Sequence, residues 1–180
     1  MNFRRLRLPE VIIFEPRVWS DDRGSFFVSF NQRQFTEAIT REITFVQDNH
    51  SCSKQGVLRG LHYQLQQVQG KLVRIVQGEV FDVAVDLRRS SPTFAHWAGE
   101  ILSAKNRRQM WIPEGFAHGF LVLSREAELL YKVTDYYSSE FERTIAWNDP
   151  TLCITWPFSP TILSPKDQLA PLLDNTEVFP

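Results

Sequence analysis

The stretch Lys71–Leu87, KLVRIVQGEVFDVAVDL, constrains the fold more than any other part of the chain. Phe81, Val83, Val85 and Leu87 alternate with Asp82, Ala84 and Asp86, the period-two pattern of a strand that buries one face. Gln77-Gly78 parts two such runs and predicts a tight turn. Further runs follow at Ala98–Leu102, Arg108–Ile112, Gly119–Leu123, Glu128–Thr134 and Arg143–Trp147. Ser91-Pro92, Pro113-Glu114-Gly115 and Asn148-Asp149-Pro150 separate them. Many short strands at this spacing predict an antiparallel sandwich or barrel.

Helix is scarce. Asn31–Ile39 is the best candidate, with Asn31 as its cap and Gln34 three residues on, where a capping box wants it. The tail after Pro157 is rich in proline and turn residues. It is expected to wrap the sandwich, with at most a short helical turn near Lys166–Leu169. No repeat, low-complexity tract or linker interrupts the 180 residues, which predicts one domain spanning 1–180.

Charge narrows the partners. A net charge of -1 leaves no basic excess to neutralise phosphates, so no nucleic acid is expected as a partner. The arginines Arg4, Arg5, Arg7, Arg17, Arg23, Arg33 and Arg41 are scattered, as suits a solvated surface with a few positions recruited to a small anion. No stretch approaches the length of a membrane span, and no apolar run follows the charged Met1–Leu6 segment. The expectation is a cytoplasmic protein with no membrane partner. Cys52 and Cys153 stand apart, with no Cys-x-x-Cys spacing, and are expected to be reduced and buried.

Two segments bring histidines onto strands beside glycines: Gly56-Val57-Leu58-Arg59-Gly60-Leu61-His62-Tyr63-Gln64 and Pro113-Glu114-Gly115-Phe116-Ala117-His118-Gly119-Phe120. Taken singly, each is more often a core histidine with a satisfied hydrogen bond. Arg59 and His62 have opposite parity on a regular strand, so both reach one pocket only if Gly60 interrupts the pleat. Pro113, Gly115 and His118 match the spacing of the second cupin motif. The first motif of a metal-binding cupin supplies a His-x-His pair and a glutamate, whereas His62-Tyr63-Gln64 offers one imidazole. A metal site needs three or four ligands, so no metal is expected. No Gly-x-Gly-x-x-Gly fingerprint is present and no other cofactor is expected either.

The full order of motifs is more specific. It runs Asp22-Arg23-Gly24-Ser25-Phe26, Gln47-Asp48-Asn49-His50-Ser51, the Arg59–His62 segment, Lys71, Gly78–Arg88 and Ser91-Pro92-Thr93-Phe94. It continues through the His118 segment, Tyr131–Tyr137, Trp147-Asn148-Asp149-Pro150 and Leu163-Ser164-Pro165-Lys166-Asp167. In this order, across nearly the whole chain, the sequence resembles the dTDP-4-dehydrorhamnose 3,5-epimerase family.

The resemblance implies an all-β fold, an antiparallel cupin-like jelly-roll sandwich with a few short helices, forming homodimers. It implies a dTDP-4-keto-6-deoxyhexose substrate, epimerised at C3, C5 or both, with no cofactor. His62 resembles the family's base, Asp167 the carboxylate that orients it, Tyr131 the proton donor on the opposite face, and Lys71 the cation at the enolate oxygen. Arg23, Phe26, Gln47, Asn49, Arg59, His118, Glu142 and Lys166 fall where the family contacts sugar, base or diphosphate. One departure stands out: the family's Arg-Gly-x-Phe-x-Glu pattern ends here in Val28. Two other functions compete, a metal-dependent cupin enzyme and a catalytically silent sugar-binding jelly roll. A binder has no use for a base set against an opposed acid.

These residue types suit the chemistry. Protons at C3 and C5 flank the C4 ketone, and removing one leaves an enolate whose charge needs a fixed cation. A base that titrates near working pH suits histidine. An aspartate behind it sets the tautomer and favours the imidazolium.

Overall fold

Strand pairing in the computed structural model, which describes residues 1–180, sorts most of the chain into two antiparallel sheets. The first contains β1 (Asn2–Arg5), β2 (Ile12–Glu15), β10 (Gln109–Ile112), β7 (Lys71–Gln77), β12 (Glu126–Val133) and β5 (Gln47–Lys54), in that spatial order. The second contains β13 (Glu142–Thr144), β6 (Leu58–Gln64), β11 (Phe116–Val122), β8 (Glu79–Asp86) and β9 (Trp97–Ser103). A separate hairpin, β3 (Val18–Asp21) with β4 (Gly24–Phe27), pairs with neither. The main core lies between the two sheets. Val73, Ile75, Met110, Ile112 and Leu129 from one meet Val80, Ala84, Ala98, Leu102, Phe116, Phe120 and Val122 from the other. The predicted jelly-roll sandwich is the observed fold.

Gln77-Gly78 does turn the chain, but between sheets. β7 pairs with β10 and β12, while β8 pairs with β11 and β9. Glycine is required at this corner: φ is +76°, and an added Cβ would lie 2.0 Å from the Glu126 carbonyl oxygen.

The alternation in β8 predicts one solvated face, and that expectation fails. Asp82 and Asp86 are both 0% exposed. Val83, Val85 and Leu87 face outward, where Leu152, Leu173, Val178 and Phe179 of the tail cover them, and Asp82 and Asp86 share the opposite face with Val80 and Ala84 of the core between the sheets. The polar positions are buried because each has partners. Asp86 accepts from Arg88, Ser91 and Thr93, and Asp82 from His118.

The predicted helix forms as α1 (Gln32–Ile39), with the Asn31 side chain accepting from the Gln34 amide. Thr40, at φ 59°, ends it in the left-handed region. Phe35 and Ala38 pack on Ile12, Phe14, Leu72 and Trp111, closing the outside of the first sheet. The tail wraps as expected, bridging Ile162 to Val57 and Phe179 to Arg88, and carries the four-residue α2 (Pro165–Gln168). The cysteines are a correction: both are exposed. Cys52 lies on the edge strand β5, where its thiol donates to Glu126 (2.8 Å), and Cys153 lies in a tail loop. Neither position has a second layer to cover it.

Candidate active site

Glycines at the centre of the second sheet decide which side chains share a site. His118 pairs with His62 and Phe120 with Arg59, so two steps along β11 oppose three along β6. The extra residue is a β-bulge, and it lies at Gly60. There φ is +133° and a Cβ would meet the Gly119 Cα at 2.5 Å. The bulge reverses the parity between Arg59 and His62, so both line one cavity.

That cavity, about 820 Å³, lies between the two sheets. His62 and Arg59 enter from β6, His118 from β11 and Glu142 from β13, all of the second sheet. Lys71 on β7 and Tyr131 on β12 enter from the first, and α2 adds Lys166 and Asp167. His62 Nε2 lies 2.6 Å from Asp167 Oδ1. Asp167 is 3% exposed, and Ser164 Oγ donates to its other oxygen at 2.8 Å. Burial opposes ionisation of this carboxyl, but the bonds and charge of His62, with Ser164 and Lys166, outweigh it and hold the pKa below the ordinary value.

Lys71 is 7% exposed, and its ammonium donates to the His62 carbonyl at 3.3 Å. Burial lowers its pKa to about 8, against the opposing charges of Glu142 and Asp82. Burial likewise pushes the Tyr131 phenol up, with Arg59 pulling the other way. His118 Nε2 faces both oxygens of Asp82 at 3.0 Å. Glu142 accepts from Lys166 Nζ at 2.8 Å and from the Tyr137 hydroxyl at 3.2 Å.

Four expected binding residues lie outside this group. Asn49 pairs with Tyr131 in the β5–β12 ladder and accepts from Gln47 at 2.7 Å, so both flank the cavity edge without lining it. Arg23 and Phe26 are not brought to the cavity at all. They sit on the β3–β4 hairpin, where Arg23 pairs with Asp21 at 2.6 Å and Phe26, 68% exposed, stacks on Trp19. The hairpin joins neither sheet, so nothing within the chain carries it to the site. Val28 follows it and is exposed.

Asp82, Ser51 and Gln64 are site components that the sequence does not single out. Asp82 carries a signal, a carboxylate amid the apolar residues of β8. The other two carry none beyond their neighbours. The histidine of the Pro113-x-Gly115-x-x-His118 motif turns to Asp82, and no three His, Cys, Asp or Glu side chains come together as a metal-ligand set.

A cavity walled by two sheets, with a half-buried histidine backed by a buried aspartate on one side and a lysine and a tyrosine on the other, defines a cupin-like jelly-roll enzyme of the isomerase class. The model for dTDP-4-dehydrorhamnose 3,5-epimerase matches residues 5–175, and the chain belongs to that family. The dTDP-4-dehydrorhamnose 3,5-epimerase of Pseudomonas aeruginosa is 61% identical, over 100% of both chains. That of Salmonella typhimurium is 61% identical over 93% of each. The 3,5-epimerase of Legionella pneumophila Philadelphia 1, solved with dTDP-4-keto-L-rhamnose, is 52% identical. It superposes with a TM-score of 0.95, covering 98% of this chain and 94% of that one.

Proposed function

We propose that the chain, acting as one domain over 1–180, epimerises a dTDP-4-keto-6-deoxyhexose at C3 and C5. The observation that carries this is the opposition of His62, backed by Asp167 at 2.6 Å, to Tyr131 on the facing sheet of one cavity. His62 takes the proton from the carbon next to the ketone. Asp167, ionised and held by Ser164, orients the ring and stabilises the imidazolium. The Lys71 ammonium meets the enolate oxygen, and its dry surroundings strengthen the attraction. Tyr131, kept protonated by burial, delivers a proton to the other face of the sugar. Arg59, His118, Glu142 and Lys166 hold the sugar and the nucleotide within the cavity. Gln47 and Asn49 extend that surface at its edge.

The active form is proposed to be a homodimer, in which Arg23 and Phe26 complete the site of the other protomer. Their support is that Arg23 and Phe26 are exposed on a hairpin that joins neither sheet. The proposed location is the cytoplasm, which suits two free thiols and a nucleotide-sugar substrate. No helix is long and apolar enough to cross a membrane.

The test is incubation with dTDP-4-keto-6-deoxyglucose in deuterated water, read by proton NMR. Label at both C3 and C5 is expected. Label at one carbon alone replaces double with single epimerisation, and label at neither removes the assignment.

A further inference from the structure

Gln64 is a polar side chain in the cavity wall, and only 3% of its surface is exposed. A buried amide costs stability unless it is paired. This one uses both donors and its acceptor. The nitrogen donates to the Gln67 carbonyl at 2.8 Å and to the Tyr136 carbonyl at 3.2 Å, and the oxygen accepts from the Ser138 amide at 2.8 Å. These partners fix which way the amide points, since a carbonyl only accepts and a backbone N–H only donates.

The bonds to Tyr136 and Ser138 flank Tyr137, in the connection between β12 and β13, residues 134–141. The ends of that connection are tied elsewhere. Thr134 exchanges two bonds with Gly70, at 2.8 and 3.1 Å, and the Phe141 carbonyl accepts from the Leu65 amide at 3.0 Å. Between the ends, the backbone of residues 136–138 has Gln64 as its only hydrogen-bond partner outside the connection. Tyr137, 56% exposed, stands at the rim of the cavity. Its hydroxyl donates to Glu142, the register partner of Gln64 on β13.

β6 also carries His62, two residues before Gln64 and on the same face, about 7 Å away along the strand. One strand thus holds the base and, through Gln64, the segment that presents Tyr137. We propose that Gln64 is a positioning residue that registers segment 136–138 on the strand of the base, and so sets how tightly the nucleotide half of the substrate is held while the ketone lies between His62 and Tyr131. This rests on the epimerase reading above. A reacting carbon between His62 and Tyr131 leaves the rim to the rest of the substrate. Contacts made there are the same before and after the enolate forms. Contacts of that kind act on KM and leave kcat alone.

Gln64→Met in the full chain keeps the length and neutrality of the side chain and removes its hydrogen bonds. Binding of dTDP alone, read by calorimetry, is expected to weaken about tenfold, with KM for dTDP-4-keto-6-deoxyglucose rising by a similar factor and kcat changing far less. Tyr137→Ala is expected to weaken dTDP binding to a similar extent. The double variant should bind no more weakly than Tyr137→Ala alone, because Gln64 acts through Tyr137. A role in packing alone would give additive losses. Additive losses, a loss confined to kcat, or wild-type dTDP binding by Gln64→Met each overturns the proposal. If Gln64→Met does not fold, amide exchange in the wild type decides: the Ser138 N–H is expected to be protected, and free exchange overturns the proposal. Deuterium uptake and dTDP binding by the wild type are read first. No binding overturns both readings. Binding without uptake counts against the epimerase reading alone, and both together beside an unimpaired Gln64→Met count against Gln64 alone.

Discussion

At Tyr131, loss of water pushes the phenol above its ordinary pKa, so at neutral pH it holds the proton it is proposed to deliver. Tyr131→Phe keeps the ring and removes that proton. The mutant should still wash substrate protons into deuterated water, since His62, Asp167 and Lys71 are untouched, but form little epimer. Loss of exchange as well as inversion would make Tyr131 a structural residue. His62→Ala should lower kcat by about a hundredfold or more with the fold intact, and near-normal turnover would remove His62 as the base. Lys71 sets the pH response. It is charged below about pH 8 and neutral above, so enolate stabilisation is present at pH 7 and lost as the pH rises through about 8. Measured kcat should fall along that limb, and Lys71→Arg, which stays charged, should move the fall to higher pH. A flat profile between roughly pH 7 and 10 would contradict the role. His62 is marked by its glycine-flanked strand segment, but spacing alone does not separate Lys71, Asp167 or Tyr131 from the chain's other lysines, aspartates and tyrosines. Only the order of motifs singled them out, because burial and partners are not written in a residue type.

Among elements, the strand carrying His62 depends on the bulge at Gly60. The positive φ and the close approach to Gly119 leave no room for a Cβ. Gly60→Ala should destabilise the protein by about 2 kcal/mol and lower activity further by separating Arg59 from His62. Urea unfolding and kcat on the same sample check both, and a variant with wild-type values would show that the strands absorb the change. On the tail, Ser164 caps α2 and steadies Asp167. Ser164→Ala should cost about 1 kcal/mol of stability. The strands and α1 were legible because period-two alternation and an asparagine cap are local signals. The burial of the polar side of β8 was not, since it depends on what covers the strand and what faces each aspartate.

For the whole molecule, the sandwich leaves the β3–β4 hairpin paired with neither sheet. Light scattering at micromolar protein should give twice the mass of one chain, and a monomer would remove the partner's proposed contribution of Arg23 and Phe26. The sequence by itself determined the strand-rich character, the positions of most strands, the capped helix and, through the order of its motifs, the family. These follow from short-range rules: alternation, turn residues, caps and recurring segments. Tertiary structure alone decided that Gly78 turns between sheets instead of within one, and that Gly60 brings Arg59 and His62 to one side. It also decided that Asp82 lies behind His118 and that Arg23 lies apart from the cavity. Each of these depends on which strands become neighbours. Pairing is settled by burying the faces of distant segments against one another, and no local stretch of the chain contains that information.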